Sequence, residues 1–458
     1  MHLCIRPQFR SVVKPPTTNL LYQAKGSIHR RFFTNQTKKK VIILGTGWAG
    51  FRILKDINQK DYDVTVVSPR NYFLFTPLLT STTVGTLEFR GVIEPLRTAV
   101  SPPFTYLQGE CVSVDAQQNF VTARSVYEHK DLDEQKPYYP EWKLSYDFLV
   151  IAVGAAPNTF HIPGVEKYCF FLKQVSDARA IRQRIIECFE RAASPDEPEA
   201  EKNRLLHFVI IGGGPTSVEF AAELHDFLKQ DVHKVYPELE DKVQITLVEA
   251  GKKLLSTFDA NLSDYTMKLF KRRKIDVRTG VSVKEVRRHE IILSDGTTIP
   301  FGLGVWSTGV TATSFVKALP FEKDRSGRLL LDDHMRVKLS KTEFATNIFA
   351  AGDCATFEDQ PLPQTAQVAE QEGKYIAKLL NSHVSSVDPF KYHNRGMLAY
   401  VGGKRSVVDT PLVKNSGFLS WLFWNAAYIT KLVSIKNKIM IPMYWFKSFV
   451  FGRDIARF

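Results

Sequence analysis

Val41-Ile42-Ile43-Leu44-Gly45-Thr46-Gly47-Trp48-Ala49-Gly50 sets an apolar, β-branched run directly against a GxGxxG turn. A run without polar alternation suits a parallel strand buried on both faces. In the turn, the first glycine permits the tight bend and the second lets backbone N–H groups approach a pyrophosphate. The third packs the following helix on the sheet, whose N-terminus then faces negative charge. The next strand, Val64-Thr65-Val66-Val67, ends on Ser68 rather than on an acidic ribose ligand, so ribose recognition here must differ.

The pattern returns once. His207-Phe208-Val209-Ile210-Ile211 runs into Gly212-Gly213-Gly214-Pro215-Thr216-Ser217, with a small Ser at the third glycine position. The partner strand Val243–Val248 ends on Glu249, placed to bind a ribose 2′-OH and to repel a 2′-phosphate, which favours NADH over NADPH. Between the repeats, the charged stretch from Glu187 to Arg204 reads as a surface excursion or helical insertion. Two strand-then-glycine openings in one chain form an internal repeat that calls for two dinucleotides or one plus a relic, two being the simpler reading.

Composition bounds the alternatives. At 458 residues and 44% hydrophobic, the chain supports two or three packed domains. The net charge of +13 sits at the ends: residues 1–40 hold nine Lys/Arg and no Asp/Glu, and nine more Lys/Arg follow from Gly402 against Asp409 and Asp454. The body is therefore mildly acidic, which argues against a nucleic-acid groove and for a basic leader plus an anionic-surface contact. Residues 1–37, acid-free and carrying Arg30-Arg31-Phe32-Phe33, read as a mitochondrial presequence, a basic tail being the alternative. The five cysteines form no CxxC pair and no cluster with histidines, so no metal site is expected. No EF-hand loop is present, and no apolar run approaches the roughly 20 residues of a membrane span.

Three short motifs carry a resemblance. With Ala152-Val153-Gly154, Ser307-Thr308-Gly309 and Ala350-Ala351-Gly352-Asp353, the chain resembles the two-dinucleotide disulfide-reductase-like flavoproteins. In them the Gly-Asp pair meets the FAD ribityl-phosphate region and the other two turns mark crossings between domains. Ser68-Pro69-Arg70-Asn71-Tyr72-Phe73-Leu74-Phe75-Thr76-Pro77-Leu78-Leu79, Ala366-Gln367-Val368-Ala369-Glu370-Gln371 and Phe451-Gly452-Arg453-Asp454 look like signatures of the type II NADH:quinone oxidoreductases, the alternative NADH dehydrogenases. The resemblance implies FAD and NADH as cofactors, with Gly45, Gly47, Trp48, Ala49, Gly50, Ser68, Arg70, Gly154, Gly309, Gly352, Asp353 and Ala366 toward the flavin nucleotide. Gly212, Gly214, Thr216 and Glu249 would serve NADH. It makes ubiquinone the electron acceptor beside Gln367 and Gln371, with Arg395 and Tyr400 as weaker candidates. Glu219, just inside the second nucleotide-binding helix, is the candidate for holding nicotinamide or handling a proton; a carboxylate steadied by the helix dipole is its plain alternative.

A disulfide reductase needs two cysteines soon after the first turn, and none lies between Cys4 and Cys111. Cys354 with Cys169 leaves a sulfide:quinone oxidoreductase as a minor alternative, beside a soluble NADH oxidoreductase and an apoptosis-inducing-factor-like binder. Residues 418–433, FLSWLFWNAAYITKLV, and the following Lys436, Lys438, Lys447, Arg453 and Arg457 among aromatics have the composition of an interfacial membrane anchor, a helix pair buried against the core or a dimer partner being the alternative.

The expected architecture is an α/β fold of two Rossmann-type dinucleotide-binding domains plus a C-terminal membrane-interface helical segment. Its parts are a presequence (1–37), an FAD domain in two pieces (38–165 and 309–385), an inserted NADH domain (166–308) and a membrane-anchoring end (386–458). A homodimer, peripheral on the matrix side of the mitochondrial inner membrane and without proton pumping, completes the reading.

Overall fold

A computed structural model of the chain describes residues 38–130, 137–384 and 387–456, so the presequence and Arg457 lie outside the described residues. The run quoted first is strand Lys39–Leu44, and it sits inside a ten-stranded sheet. Its neighbours Phe148–Ile151 and Tyr62–Ser68 are both parallel to it, and Glu343–Ala350 and Thr105–Asp115 extend the parallel core on either side. Val41, Ile42, Ile43 and Leu44 are all buried, as expected of a strand covered on both faces. Helix Trp48–Asp56 follows it and packs against helix Ala366–Asn381. Those two helices meet so closely that a Cβ on Gly373 would lie 2.6 Å from the Ala49 carbonyl oxygen.

The second run is strand His207–Ile211, central in a separate five-stranded parallel sheet with Phe170–Phe171, Leu303–Trp306, Gln244–Glu249 and Asp276–Thr279. Alternate side chains feed different cores: Phe208 and Ile210 join the large one, and Val209 and Ile211 join a second with Val248, Val286 and Trp306. The charged stretch before it forms helices, Val175–Ala192 and Glu199–Leu205. Strand Ala155–Pro157, just after Gly154, pairs antiparallel with Val310–Ala312, just after Gly309, so the chain leaves and re-enters the first sheet's region along one ribbon.

The repeat is visible atom by atom. The Gly45 N–H donates to Val67 O and the Gly212 N–H to Val248 O, both at 2.8 Å. Gly45 has φ +103° and Gly212 φ +116°. A Cβ on Gly45 would lie 2.3 Å from Ala152 O, and one on Gly212 2.4 Å from Ser307 O. Both first glycines are thus required twice, by conformation and by space.

The C-terminal part adds a three-stranded antiparallel sheet, Met397–Tyr400, Ser406–Asp409 and Lys414–Gly417. Two helices follow, Phe418–Lys431 and Ile435–Phe451, the second accommodating Pro442. Ser434 caps the second helix at Asn437 N–H, and the Asn437 amide donates to Glu94 Oε1 at 2.6 Å, tying it to the first domain's side. Among the described residues, no helix is long and apolar enough to cross a membrane.

Close packing at the first turn predicts a measurable cost for Gly50→Ala, whose new Cβ would fall 2.1 Å from Gly45 O. Urea unfolding should register a loss of about 1–3 kcal/mol; an unchanged midpoint would mean the turn yields more easily than its geometry implies.

Candidate functional site

A cleft of about 860 Å³ runs from the first glycine turn to the first turns of helix Pro215–Phe227, while Gly212, Gly213 and Gly214 lie outside its lining. That is at the upper end of small-molecule sites and suits an extended ligand. Gly45, Gly47, Trp48 and Ala49 line one end with Ser68 and Arg70, then Gly154, Gly309, Gly352, Asp353 and Ala366. Thr216 and Glu219 of helix Pro215–Phe227 line the other. Nothing lies within 4 Å of where a Cβ would stand on Gly47 or Gly154, so backbone faces open space there, while Gly50 is a packing glycine outside the lining.

The ends of the first strands explain the missing ribose acid. Ser68 turns inward, its Oγ 2.9 Å from Thr46 Oγ1, and it accepts the Arg70 N–H at 3.3 Å. Arg70 then reaches into the cleft and donates to Gln174 Oε1 at 2.6 Å. Lys173 stands nearby with its Nζ 3.7 Å from Asp353 Oδ2. Two cations in a buried cleft favour an anionic ligand, and burial in the protein pulls the proton affinity of both below the ordinary value. The indole of Trp48 donates to Thr76 Oγ1 at 3.0 Å and packs edge-on to Phe73 at 5.0 Å, which fixes the wall beside the turn.

Glu249 stays out of this cleft and faces the second turn. A Cβ on Gly213 would lie 2.7 Å from its Cγ, and Gly251 N–H donates to its Oε1 at 2.5 Å. Gly214, like Gly47, has open space where a Cβ would stand. The carboxylate therefore borders a bare stretch of backbone at the helix N-terminus.

Glu219 is 6% exposed, and its carboxyl is pushed up to about 8 by burial first and by the neighbouring Glu223 carboxyl second. It accepts weakly from Tyr400 N–H at 3.2 Å and Thr80 Oγ1 at 3.4 Å. The Trp424 indole lies beside it outside hydrogen-bond geometry, and Tyr428, on the same C-terminal helix, lines the cleft. At neutral pH Glu219 is thus a protonated acid on the cleft wall.

Gln367 and Gln371 lie elsewhere. Neither lines the cleft; both are half-buried on the helix whose first residue, Ala366, does. Their amides hold the chain that leads into the C-terminal sheet. Gln367 Nε2 donates to Gly396 O at 3.1 Å and its Oε1 accepts Arg395 N–H at 3.1 Å. Gln371 Nε2 donates to His393 O and its Oε1 accepts His393 N–H, both at 3.0 Å. Arg395 points to Glu370 at 3.6 Å, and the Tyr400 hydroxyl donates to Asp226 at 2.6 Å.

The thiol reading finds no support. Cys354 is buried in the large core and Cys169 packs against the second, with neither in the cleft and both pushed up to about 12 by burial. Lys173, Gln174, Trp306 and Tyr428 line the cleft without having been singled out in the sequence. Lys173 carried the only signal, a lone basic residue directly after the apolar run Phe170–Leu172 and just before a helix.

Comparison with known proteins agrees with this geometry. The pyridine nucleotide-disulphide oxidoreductase family matches residues 39–373, and the NDH2 C-terminal domain matches residues 394–454. A probable NADH dehydrogenase of Dictyostelium discoideum is 44% identical over 95% of this chain and 96% of its own length. The internal alternative NAD(P)H-ubiquinone oxidoreductase A1, mitochondrial, of Arabidopsis thaliana is 41% identical over 92% of this chain and 86% of its own. The structure of NDH2 from Plasmodium falciparum in complex with NADH superposes with a TM-score of 0.85 at 29% identity, covering 92% of this chain and 100% of that one. The chain belongs to the pyridine nucleotide-disulphide oxidoreductase family, within its branch of type II, or alternative, NADH:quinone oxidoreductases.

Proposed function

We propose that the protein is a non-proton-pumping NADH:ubiquinone oxidoreductase that carries FAD in the cleft of the first fold and takes NADH in the second. The observation that carries this reading is one continuous cleft that begins at the first glycine turn and ends at helix Pro215–Phe227, which the second turn opens, with Glu219 on its wall. FAD fits by shape and charge: open backbone at Gly47 and Gly154, the cations Arg70 and Lys173 for its phosphates, and Asp353 beside Lys173. Bound there, FAD supplies two-electron chemistry, accepting hydride from NADH and passing the electrons to quinone.

The chain's own residues bind, orient and protonate. Glu249 hydrogen-bonds the NADH ribose beside Gly213. NADH, quinone and one proton give NAD⁺ and quinol, so one proton per turnover comes from the medium, and Glu219 holds a proton at its carboxyl where the cleft can take it. Gln367 and Gln371 act on the quinone side by fixing the His393–Gly396 segment, from which strand Met397–Tyr400 carries Leu398 into the cleft wall.

The two C-terminal helices dock on a membrane surface. Their inner faces bury Ser420, Trp424, Asn437 and Ile441, while Leu419 (69% exposed), Phe446 (67%), Phe449 (73%) and Phe451 (80%) face outward. Lys431, Lys436 and Lys447 accompany them, as an interfacial helix pair requires. The relatives' mitochondrial names and the acid-free leader favour the mitochondrial inner membrane, and the internal type named among those relatives favours the matrix side; a homodimer is the working form proposed with it.

Steady-state oxidation with a soluble ubiquinone analogue should favour NADH over NADPH, and Glu249→Gln should narrow that ratio by roughly tenfold, about 1.4 kcal/mol. No quinone-dependent oxidation of either nucleotide would end the functional reading; an unchanged ratio would end the role of Glu249. In flotation with vesicles containing anionic lipid, the protein should rise with the membrane, and Phe446→Asp with Phe449→Asp should keep it at the bottom. Equal flotation of the double variant would move the docking surface elsewhere.

A further inference from the structure

We propose that Arg453, near the C-terminus, acts with Glu223 to keep the proton of a buried carboxyl pair on Glu219, the member that faces the cleft. The inference rests on the reading above, in which that cleft consumes a proton.

Glu219 and Glu223 stand one turn apart on the same face of helix Pro215–Phe227, 6% and 5% exposed. Two like charges so close in a poorly solvated site cannot both ionise cheaply, so their surroundings decide which keeps the proton. Glu223 accepts Ser81 Oγ on one oxygen and Thr86 Oγ1 on the other, each at 2.7 Å. Arg453 places its Nη2 3.9 Å from Glu223 and donates from Nε to Thr86 Oγ1 at 2.8 Å, so a cation and the hydroxyl it polarises both face that carboxyl. Glu219 has only the long contacts from Tyr400 and Thr80, beside the uncharged Trp424 and Tyr428. Burial lifts both carboxyls, and the stronger partners leave Glu223 as the charged one.

The remaining charged groups around the pair are accounted for. Asp226, the next acid on that face, accepts from Tyr400 OH at 2.6 Å and Gly403 N–H at 2.8 Å, with His225 and Arg273 beside it. Asp231 binds Arg453 Nη1 at 2.7 Å and its N–H at 3.0 Å, fixing the guanidinium without occupying Nη2. This also gives the Phe451-Gly452-Arg453-Asp454 motif a physical role. Gly452 has φ +79°, and a Cβ there would lie 2.6 Å from Asp231 Oδ1, so only glycine lets the chain turn Arg453 inward. Asp454 O accepts Arg182 Nη2 at 2.8 Å and anchors the far side of the turn.

In the catalytic cycle the Glu219 carboxyl gives its proton to a quinone oxygen, its O–H bond breaking as the quinol O–H forms, and the resulting carboxylate is reprotonated from water. Arg453 and Glu223 are positioning residues: they touch no substrate and act through Glu219.

Infrared spectra of the full-length FAD-loaded protein, without NADH or quinone, read the carbonyl band of protonated carboxyls against pH. Subtracting Glu219→Gln isolates the Glu219 band from that of Glu372, also buried. The Glu219 band should titrate near pH 8 in the unaltered protein. Losing the neighbouring charge in Glu223→Gln should weaken its proton affinity about tenfold, one pH unit downward. Arg453→Gln added to Glu219→Gln should raise a new band at pH 7, from Glu223. An unmoved midpoint in Glu223→Gln, or a Glu223 band in Glu219→Gln alone, overturns the proposal. Should Arg453→Gln fail to fold, the near-isosteric Glu223→Gln decides by itself. Normal titration in a protein that reduces no quinone would refute the function while leaving the proton where it is placed here.

Discussion

Everything in the molecule is arranged around two positions where a side chain cannot exist. At Gly45 and Gly212 the backbone turns through positive φ against the carbonyls of Ala152 and Ser307, closer than any Cβ allows. Each contact joins the end of a central strand to the end of the parallel strand beside it, Phe148–Ile151 or Leu303–Trp306, and opens a helix N-terminus at the same point. The cleft begins at the first turn and ends against the helix that the second turn opens. The antiparallel ribbon of Ala155–Pro157 with Val310–Ala312 then fixes how the second sheet hangs from the first.

The C-terminal segment faces two ways. Its outer side is aromatic and exposed, whereas its inner side inserts Trp424 and Tyr428 toward Glu219 and Asn437 toward Glu94. Arg453 closes the segment on helix Pro215–Phe227 and on the loop around Thr86. The surface proposed to dock on a membrane and a wall of the cleft are thus two faces of helix Phe418–Lys431. Quinone arriving from a bilayer would meet that wall first. The buried carboxyls behind it, Glu219 and Glu223, cost stability unless their partners stay in place, which gives the tail's polar contacts their importance.

The two strand-turn openings were legible because they rest on local rules: apolar β-branched runs, then glycines at positions that forbid a Cβ. The C-terminal helix from Phe418 was legible from apolar length alone. Its successor, Ile435–Phe451, was not, since Pro442 breaks the pattern and tertiary contacts through Asn437 and Ile441 override it. Site residues divide similarly. Arg70, Asp353 and Glu219 lie in the cleft near motifs that marked them, but Lys173 and Tyr428 arrive from distant segments without any motif. The glutamines Gln367 and Gln371 carry the opposite lesson. A motif resemblance put them beside the quinone, yet in the structure their amides are spent on the His393–Gly396 backbone.

One bound flavin serving both substrates in turn is the feature on which the rest depends. Anaerobic stopped-flow absorbance, with NADH added first and a ubiquinone analogue second, separates the two steps. Rapid bleaching of the flavin by NADH, followed by full recovery of its colour on quinone addition at a rate at least equal to steady-state turnover, is the result predicted here. A flavin that bleaches but is not reoxidised by quinone, or that NADH leaves oxidised, would contradict it.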